Sequence, residues 1–178
     1  MKQVLIAVLI VSVTGGLAQA AGVKNTVSLG YAYTDLGGAL SGNARGLNLK
    51  YNAEDLNSGF GGMGSFTFTT ADIQSYSGGK AGDMDYSSFL VGPSYRFNEY
   101  LNAYVMAGLG HGHIDDKRDN SGKKTGFAYG AGVQINPVEN IAINASYEYS
   151  RFSAYDSKVN AGTWVLGVGY SFLIIIAI

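Results

Sequence analysis

The sequence predicts an all-β protein, an eight-stranded antiparallel up-and-down β-barrel that spans a membrane. In the segment 162–172, large apolar residues alternate with small or polar ones. Side chains along a strand point to opposite faces, so one face of this segment suits lipid and the other a narrow barrel interior. The same alternation recurs along the whole chain. Only 14% of the residues are charged, and the 26 glycines and 13 tyrosines suit closely spaced strands and aromatic girdles.

The first twenty residues are predicted to be a secretory signal peptide. Lys2 supplies the positive charge, residues 4–13 are apolar apart from one serine, and residues 18–20 read A-x-A. The apolar run is too short for a stable membrane span, although a retained anchor helix is the alternative. The predicted organisation is a signal peptide over 1–20, a barrel over 21–172 and an atypical apolar tail over 173–178.

Eight alternating segments follow, and each is predicted to be one strand: 26–34, 45–52, 60–70, 86–97, 101–114, 126–136, 141–152 and 163–172. These lengths suit tilted membrane strands, and an even number lets the first and last strands meet without an edge exposed to lipid. A soluble β-sandwich would carry many more charges on its outer faces. Pro93 lies within the fourth segment, so it must occupy a bulge or a position without a ladder hydrogen bond.

Each segment has one face that suits lipid, except the fifth, in which three glycines blur the pattern. In chain order these faces carry Val27, Leu29, Tyr31 and Tyr33; Leu47, Leu49 and Tyr51; Phe66 and Phe68; Phe89, Val91, Tyr95 and Phe97; Phe127, Tyr129, Val133 and Ile135; Ile141, Ile143, Tyr147 and Tyr149; and Trp164, Leu166, Val168, Tyr170 and Phe172. The aromatic members are predicted to form the girdles at the two membrane interfaces.

The connectors between these segments alternate in length. Short ones cover 53–59, 98–100 and 137–140, and long ones cover 35–44, 71–85, 115–125 and 153–161. Outer-membrane barrels have short periplasmic turns and long outer loops. The long connectors are therefore predicted to lie outside the cell.

The opposite faces of the strands carry a polar set that is predicted to fill the lumen. It comprises Asn48, Lys50, Arg96, Gln134, Asn144 and Glu148. An eight-stranded barrel is just wide enough for side chains to fill, and buried charges survive only when they are paired. We predict that Lys50 and Arg96 neutralise Glu148 and that the amides complete a network closing the lumen. Alternatively, some of these residues lie at the wet barrel ends; neither arrangement is a wide diffusion pore.

Catalytic and metal-binding residues are weakly indicated. His111 and His113 share one strand face and, with Asp115 or Asp116, could hold a metal. They could also mimic the histidine site of barrel hydrolases such as lipid A deacylases or omptin proteases. No paired nucleophile stands at a readable spacing, so two interfacial histidines at the outer rim are favoured. The sequence therefore predicts a protein that is not an enzyme, with no catalytic residue, metal or cofactor.

One connector is a candidate binding segment. Residues 115–124 carry mixed charge with an excess of one positive charge, and could bind an acidic host glycan or lipopolysaccharide phosphate. A solvated loop tip is the alternative. The candidate contact residues are Asp116, Lys117, Arg118, Lys123 and Lys124. The formal net charge of −1 gives no support for nucleic-acid binding, and the absence of cysteine excludes disulfides.

Six ordered blocks resemble the Ail/Lom/OmpX family of small outer-membrane barrels: 46–51, 64–69, 91–97, 129–140, 146–151 and 162–172. The resemblance implies a monomeric barrel in the outer membrane of a Gram-negative cell, with loops projecting outward. It implies contacts with outer-membrane lipids, lipopolysaccharide and the assembly machinery. Some members are associated with host-cell adhesion, invasion and complement resistance, through host-surface or serum proteins, and others have no firm role. Structural support of the envelope is therefore the alternative function.

The C-terminal tail departs from this family. Members end at the aromatic residue equivalent to Phe172, which is implied, with Trp164 and Tyr170, to form the signal read by the assembly machinery. This chain continues with six apolar residues, 173–178. We expect the last strand to end at Phe172 and the tail to hinder insertion, so truncation after Phe172 should raise the inserted fraction. Alternatives are a fused or frameshifted end, or an extension of the last strand.

Overall fold

The computed structural model describes residues 22–38, 42–74, 80–116, 122–154 and 157–174. These residues form eight strands: β1 Val23–Gly38, β2 Gly42–Asp55, β3 Phe60–Gln74, β4 Lys80–Arg96, β5 Leu101–Asp116, β6 Gly122–Val138, β7 Ile141–Ala154 and β8 Ser157–Ile174. None of the five described ranges contains a helix long and apolar enough to cross a membrane. The predicted signal peptide lies outside the described residues.

The strands close into a single antiparallel barrel. Each strand pairs with the next in sequence, and β1 also pairs with β8. The row of paired residues that starts at Ser28 passes once around the barrel and returns to β1 at Leu36, eight residues further along. This stagger is the geometry of strands tilted against a barrel axis, and closure satisfies every strand edge. The predicted fold class is confirmed.

The two faces of the barrel follow the predicted alternation. Outward residues such as Leu29 and Trp164 are exposed, whereas inward residues such as Ala32 and Thr34 are buried. The ambiguous fifth segment resolves in the same way, with Val105 and Leu109 outward and Tyr104 and Met106 inward. Lipid therefore contacts a continuous apolar belt, while small and polar side chains fill the interior.

The predicted long connectors are mostly strand. β3 continues through Gln74 before β4 begins at Lys80, and β5 continues through Asp116 before β6 begins at Gly122. The same holds at 35–44 and 153–161, where β1 ends at Gly38 and β8 begins at Ser157. Outside the lipid, polar residues can pair their backbones without any apolar alternation. Strands predicted from hydrophobic periodicity alone are therefore too short at these ends.

The turn between β2 and β3 is locally determined. The Ser58 hydroxyl and the backbone N–H of Asn57 donate to the Asp55 carboxylate, 2.8 and 3.1 Å away, and hold the pKa of that exposed carboxyl below its usual range. Gly59 then adopts a φ of 74°, in the left-handed region that glycine enters without a steric cost. This turn is short, as predicted for the periplasmic side.

The predictions for Pro93 and for the end of the last strand have opposite outcomes. Pairing of β4 with β5 stops after Val91↔Ala107 and resumes at Ser94↔Tyr104 without a change of register, so Pro93 occupies one of the predicted non-bonding positions. The prediction that the last strand ends at Phe172 is wrong. Leu173 pairs with Lys24 and Ile174 with Val23, because β1 begins early enough to offer them partners. Residues 175–178 lie outside the described residues.

Candidate functional site

Glu148 lies at the centre of a buried charge network in the lumen. It is 1% exposed, and its carboxylate accepts hydrogen bonds from the hydroxyls of Ser65, Thr67 and Ser88 at 2.9, 3.0 and 3.1 Å. The Lys50 ammonium, on a side chain 2% exposed, lies 3.8 Å from Glu148 Oε1. Three strands, β2, β3 and β4, thus supply the groups that surround the Glu148 carboxylate of β7, and all of these residues face inward.

Asn48 connects the cation to the same hydroxyls. Its Oδ1 accepts from Lys50 Nζ at 2.7 Å, while its Nδ2 donates to Ser65 Oγ and Thr67 Oγ1, both at 2.8 Å. Asn48 and Lys50 are alternate residues of β2 and therefore share its inward face. The amide holds the ammonium beside Glu148 and orients the hydroxyls toward the carboxylate.

Arg96 does not neutralise Glu148, so that part of the predicted pairing is wrong. Arg96 Nε lies 3.6 Å from Glu54 Oε1, and Nη2 donates to the Leu56 carbonyl oxygen at 2.7 Å. On β4, Ser88 is the residue that bonds Glu148, and Arg96 lies eight residues closer to the periplasmic end, about 26 Å along the strand. Arg96 is 19% exposed, whereas its partner is 2% exposed.

Glu54 was missed as a lumen residue. It follows Asn48, Lys50 and Asn52 at the same two-residue spacing, so the alternation of the second segment extends to it. Its position was assigned to a short connector, because no outward apolar residue marks the end of the strand. The structure places it in β2, where Asn102 Nδ2 donates to its Oε2 at 2.7 Å.

Gln134 and Asn144 bond away from Glu148, in the periplasmic half of the lumen. Gln134 Nε2 donates to Asn136 Oδ1 at 3.0 Å, and Asn144 Nδ2 donates to Ser28 Oγ at 2.7 Å. Among the described residues, one charged network thus surrounds Glu148 and another surrounds Glu54. Between them lies an apolar cluster of Met63, Leu90, Tyr104, Met106 and Ala128.

The two outer-rim histidines, His111 and His113, both lie on β5. His111 faces outward, and its Nδ1 lies 2.9 Å from Thr125 Oγ1 on the neighbouring strand. His113 is placed by its backbone opposite Asp85 and Lys123, and its side chain lies outside the described part of the chain. Among the described residues, no cluster of three His, Cys, Asp or Glu could hold a metal ion.

The candidate binding segment 115–124 lies at the ends of β5 and β6. Asp116 is the last residue of β5, and the backbones of Lys123 and Lys124 pair with His113 and Gly112. Lys117 and Arg118 lie outside the described residues. The described residues at the two ends of the segment therefore belong to β5 and β6, which pair with each other.

Trp164, Tyr170 and Phe172 lie on the lipid-facing side of β8. The Trp164 ring centroid is 4.8 Å from that of Tyr147. At the periplasmic end, Tyr95 similarly contacts Phe60 and Phe97, with centroid distances of 4.9 and 5.1 Å. Aromatic residues therefore line the outer surface, as expected at a membrane interface.

Known proteins with the same architecture are similar to this chain. A family model described as outer membrane protein beta-barrel domain matches residues 4–172. The attachment invasion locus protein of Yersinia enterocolitica is 40% identical over 84% of this chain and 86% of its own. Outer membrane protein X of Escherichia coli K12 is 39% identical over 92% and 93%. The crystal structure of Ail from Yersinia pestis with the heparin analogue sucrose octasulfate matches with a TM-score of 0.72 and 40% identity, covering 84% of this chain and 99% of that one.

Proposed function

This chain belongs to the family of outer-membrane β-barrel proteins that includes Ail and outer membrane protein X, and on that basis we propose that it binds anionic host surfaces through its outer rim. The membrane belt and the polar lumen then serve as the support that holds this rim. Relatives are named as attachment and outer-membrane proteins, and we propose that this chain likewise acts by binding and not by catalysis.

The observation that carries the proposal is the extension of β5 and β6 beyond the apolar belt. In β5 the last large outward apolar residue is Leu109, and the strand continues seven residues to Asp116, about 23 Å. In β6 the strand begins at Gly122, five residues before Phe127. Paired strands therefore carry the two described ends of the charged segment, 115–116 and 122–124, away from the membrane, which limits the conformational entropy that these ends lose on binding.

Charge supports an anionic ligand. The segment contains four cations and three acids within ten residues. Lysine and arginine are the side chains that bind sulfate and phosphate groups, and the related Ail structure contains a sulfated heparin analogue. We therefore propose sulfated host glycan as the ligand class, with lipopolysaccharide phosphate of the same membrane as the competing anion.

Two variants of opposite charge test this proposal. The first replaces Lys117, Arg118, Lys123 and Lys124 with serine, and the second replaces Asp115, Asp116 and Asp119 with serine. Retention of the folded protein on immobilised heparin should fall in the first variant, which loses positive charge, and rise in the second, which loses negative charge. Both variants change the same segment, so each is a control for the other. Equal loss in both would show that the shape of the segment matters and its positive charge does not, and would contradict the proposal.

Structural support of the envelope is the second candidate function, favoured by the closed barrel and its buried ion pairs. We propose that the side-chain-filled lumen conducts no solute, so bilayer recordings should show no steady pore. A deletion strain complemented with the serine variants separates the two functions. Resistance to detergent should be restored by every folded variant if support is the function, whereas host-cell adhesion should follow the charge of segment 115–124.

Export and assembly complete the proposal. Residues 1–20 would be removed as a signal peptide, and Trp164, Tyr170 and Phe172 would be read by the assembly machinery. We propose a monomer in the outer membrane of a Gram-negative cell, because closure within one chain leaves no strand edge for a second copy. Mass spectrometry of the mature protein should give an N-terminus at Ala21.

A further inference from the structure

An apolar groove crosses the outer surface of β4, β5 and β6 in the periplasmic half of the barrel. Its volume is about 350 Å³, within the size range of small-molecule binding sites. Ala103 of β5 and Ala131 of β6 line it, at outward positions where the same strands elsewhere carry large residues such as Leu109 and Phe127. Two small side chains on adjacent strands therefore leave space that the larger residues around them enclose.

One side of the groove is an aromatic wall. Phe60, Tyr95 and Phe97 all line it. The centroid of the Tyr95 ring lies 4.9 Å from that of Phe60 and 5.1 Å from that of Phe97. Rings that pack on one another are already held in place before anything binds. The wall is therefore preformed, which reduces the entropy lost when an apolar chain packs against it.

The backbone is interrupted beside this wall. Pairing of β4 with β5 stops at residues 92–93, so Pro93 and Val105, which both line the groove, are not paired. Proline has no backbone N–H to donate to the neighbouring strand. Atoms that line a void lack contacts on one side, and an apolar occupant supplies these contacts. The groove thus offers a dispersion gain to a hydrocarbon chain.

The position of the groove identifies lipid as its occupant. It is continuous with the apolar belt, in which Val91 and Val133 beside it are exposed. It also lies next to the short turns, which face the periplasm in outer-membrane barrels. The leaflet on that side consists of phospholipid. A phospholipid acyl chain is therefore the apolar partner within reach.

The β4–β5 turn places a carboxylate near the groove. Glu99 is exposed and follows Phe97 by two residues, about 7 Å along the chain. The turn is ordered by Asn98, whose Oδ1 accepts from the backbone N–H groups of residues 100 and 101, both at 2.9 Å. The acidic side chain is thus presented from a fixed backbone at the periplasmic edge of the groove.

Positive charge is lacking at the same edge. Residues 97–100 and 137–140 form the turns that adjoin the groove; they contain no lysine or arginine, and the second turn adds Glu139. Arg96, the nearest cation along the chain, is paired with Glu54 and donates to the Leu56 carbonyl oxygen. An anionic headgroup would therefore meet like charge here, whereas an ammonium group meets carboxylates.

We propose that the groove binds an acyl chain of one phosphatidylethanolamine molecule of the periplasmic leaflet, whose ammonium group pairs with Glu99. The hydrocarbon contact supplies most of the affinity, because every buried methylene group contributes. The exposed ion pair adds little affinity, but it distinguishes this headgroup from that of the anionic phosphatidylglycerol. The bound chain also covers the segment in which β4 and β5 are not paired.

Filling the groove tests the proposal. Ala131→Phe places a ring in it, and Ala145→Phe, at an exposed outward position of β7 that does not line it, is the matched control. Each protein is refolded into vesicles containing equal amounts of phosphatidylethanolamine and phosphatidylglycerol with identical acyl chains, and is then extracted in mild detergent. Native mass spectrometry counts the lipids that the protein retains, and heat-dependent gel mobility verifies folding.

The unmodified protein and Ala145→Phe should retain one phosphatidylethanolamine, preferred over phosphatidylglycerol by about two- to fivefold, the range that an exposed ion pair provides. Ala131→Phe should retain at least about tenfold less lipid, because the lost contact exceeds that of two methylene groups. Glu99→Gln should retain the same total amount of lipid without a headgroup preference. Equal retention by Ala131→Phe and Ala145→Phe, no headgroup preference in the unmodified protein, or retention of detergent alone would overturn the proposal.

A fluorescence measurement decides the question if Ala131→Phe fails to fold. Phe97→Trp combined with Trp164→Phe places the single tryptophan in the wall of the groove, whereas the unmodified protein reports from Trp164 outside it. The vesicles contain the same two lipids, with bromine on the acyl chains of one of them. The introduced tryptophan should be quenched more by brominated phosphatidylethanolamine than by brominated phosphatidylglycerol, and Trp164 equally by both. The same quenching ratio at the two positions would contradict a specific lipid site.

Discussion

Replacement of Glu148 by alanine is the sharpest test of the lumen network. The change removes the carboxylate that accepts from three hydroxyls and lies 3.8 Å from Lys50 Nζ. Lys50 then retains Asn48 as an acceptor, but no negative charge remains beside its buried ammonium. Arg96 is unaffected, because it pairs with Glu54.

The expected loss is about 3–5 kcal/mol in the free energy of unfolding, the usual effect of removing one partner of a buried ion pair. Both side chains are at most 2% exposed, so solvent screening reduces this value little. With a urea dependence of about 1–3 kcal/mol per molar, the unfolding midpoint should fall by at least about 1 M. Lys50→Met combined with Glu148→Ala removes both charges and should lose less than the sum of the two single variants.

The assay is urea unfolding and refolding of the protein in lipid vesicles. The folded fraction is read from the heat-dependent gel mobility and from the fluorescence of Trp164, the single tryptophan, which faces lipid and is 64% exposed. Glu139→Ala, which removes a carboxylate from an exposed turn, is the control and should change stability by no more than about 0.5 kcal/mol. An unchanged midpoint for Glu148→Ala, or additive single variants, would refute a buried, coupled pair.

Three further changes test other parts of the structure. Gly46→Ala should prevent folding, because the added Cβ would collide with the Phe68 carbonyl oxygen of β3. Gly64→Ala should fold normally, because no atom lies within 4 Å of the Cβ added there. Gel mobility after refolding compares the two variants. Glu54→Gln should lower the free energy of unfolding by only about 1–2 kcal/mol, because Arg96 is partly hydrated and keeps its bond to the Leu56 carbonyl; urea titration measures the difference. Truncation after Ile174 should keep every residue pair of β8 with β1, and its inserted fraction in cell fractionation should match or exceed that of the full-length protein. Truncation after Phe172 removes two of these pairs, so its inserted fraction should not exceed that of the full-length protein, contrary to the expectation from sequence.

The sequence predicted the number of strands and the faces of most of them, for a simple physical reason. Lipid on one side and a narrow interior on the other impose a two-residue period on every strand that crosses the membrane. Residues such as Leu166 and Val168 therefore reveal both the strand and its orientation. The inward position of Lys50 and Glu148 follows from the same period, because they occupy the opposite phase.

The period says nothing about residues outside the lipid. Strand ends such as 71–74 and 115–116 are held by backbone pairing with a neighbour, and this pairing requires no particular side chain. The extension of β8 to Ile174 is of the same kind, because it depends on Val23 and Lys24 of the distant β1. Hydrophobic alternation could not reveal either extension.

The pairing of charges in the lumen was decided only by the tertiary structure. Sequence placed Lys50, Arg96 and Glu148 in one interior, but the eight-residue stagger accumulated around the barrel sets which of them share a height. That stagger brings Lys50 to Glu148 and leaves Arg96 with Glu54, near the periplasmic end. Local sequence therefore determined which side chains face inward, whereas closure of the barrel determined which of them meet, because only closure relates the heights of strands far apart in the chain.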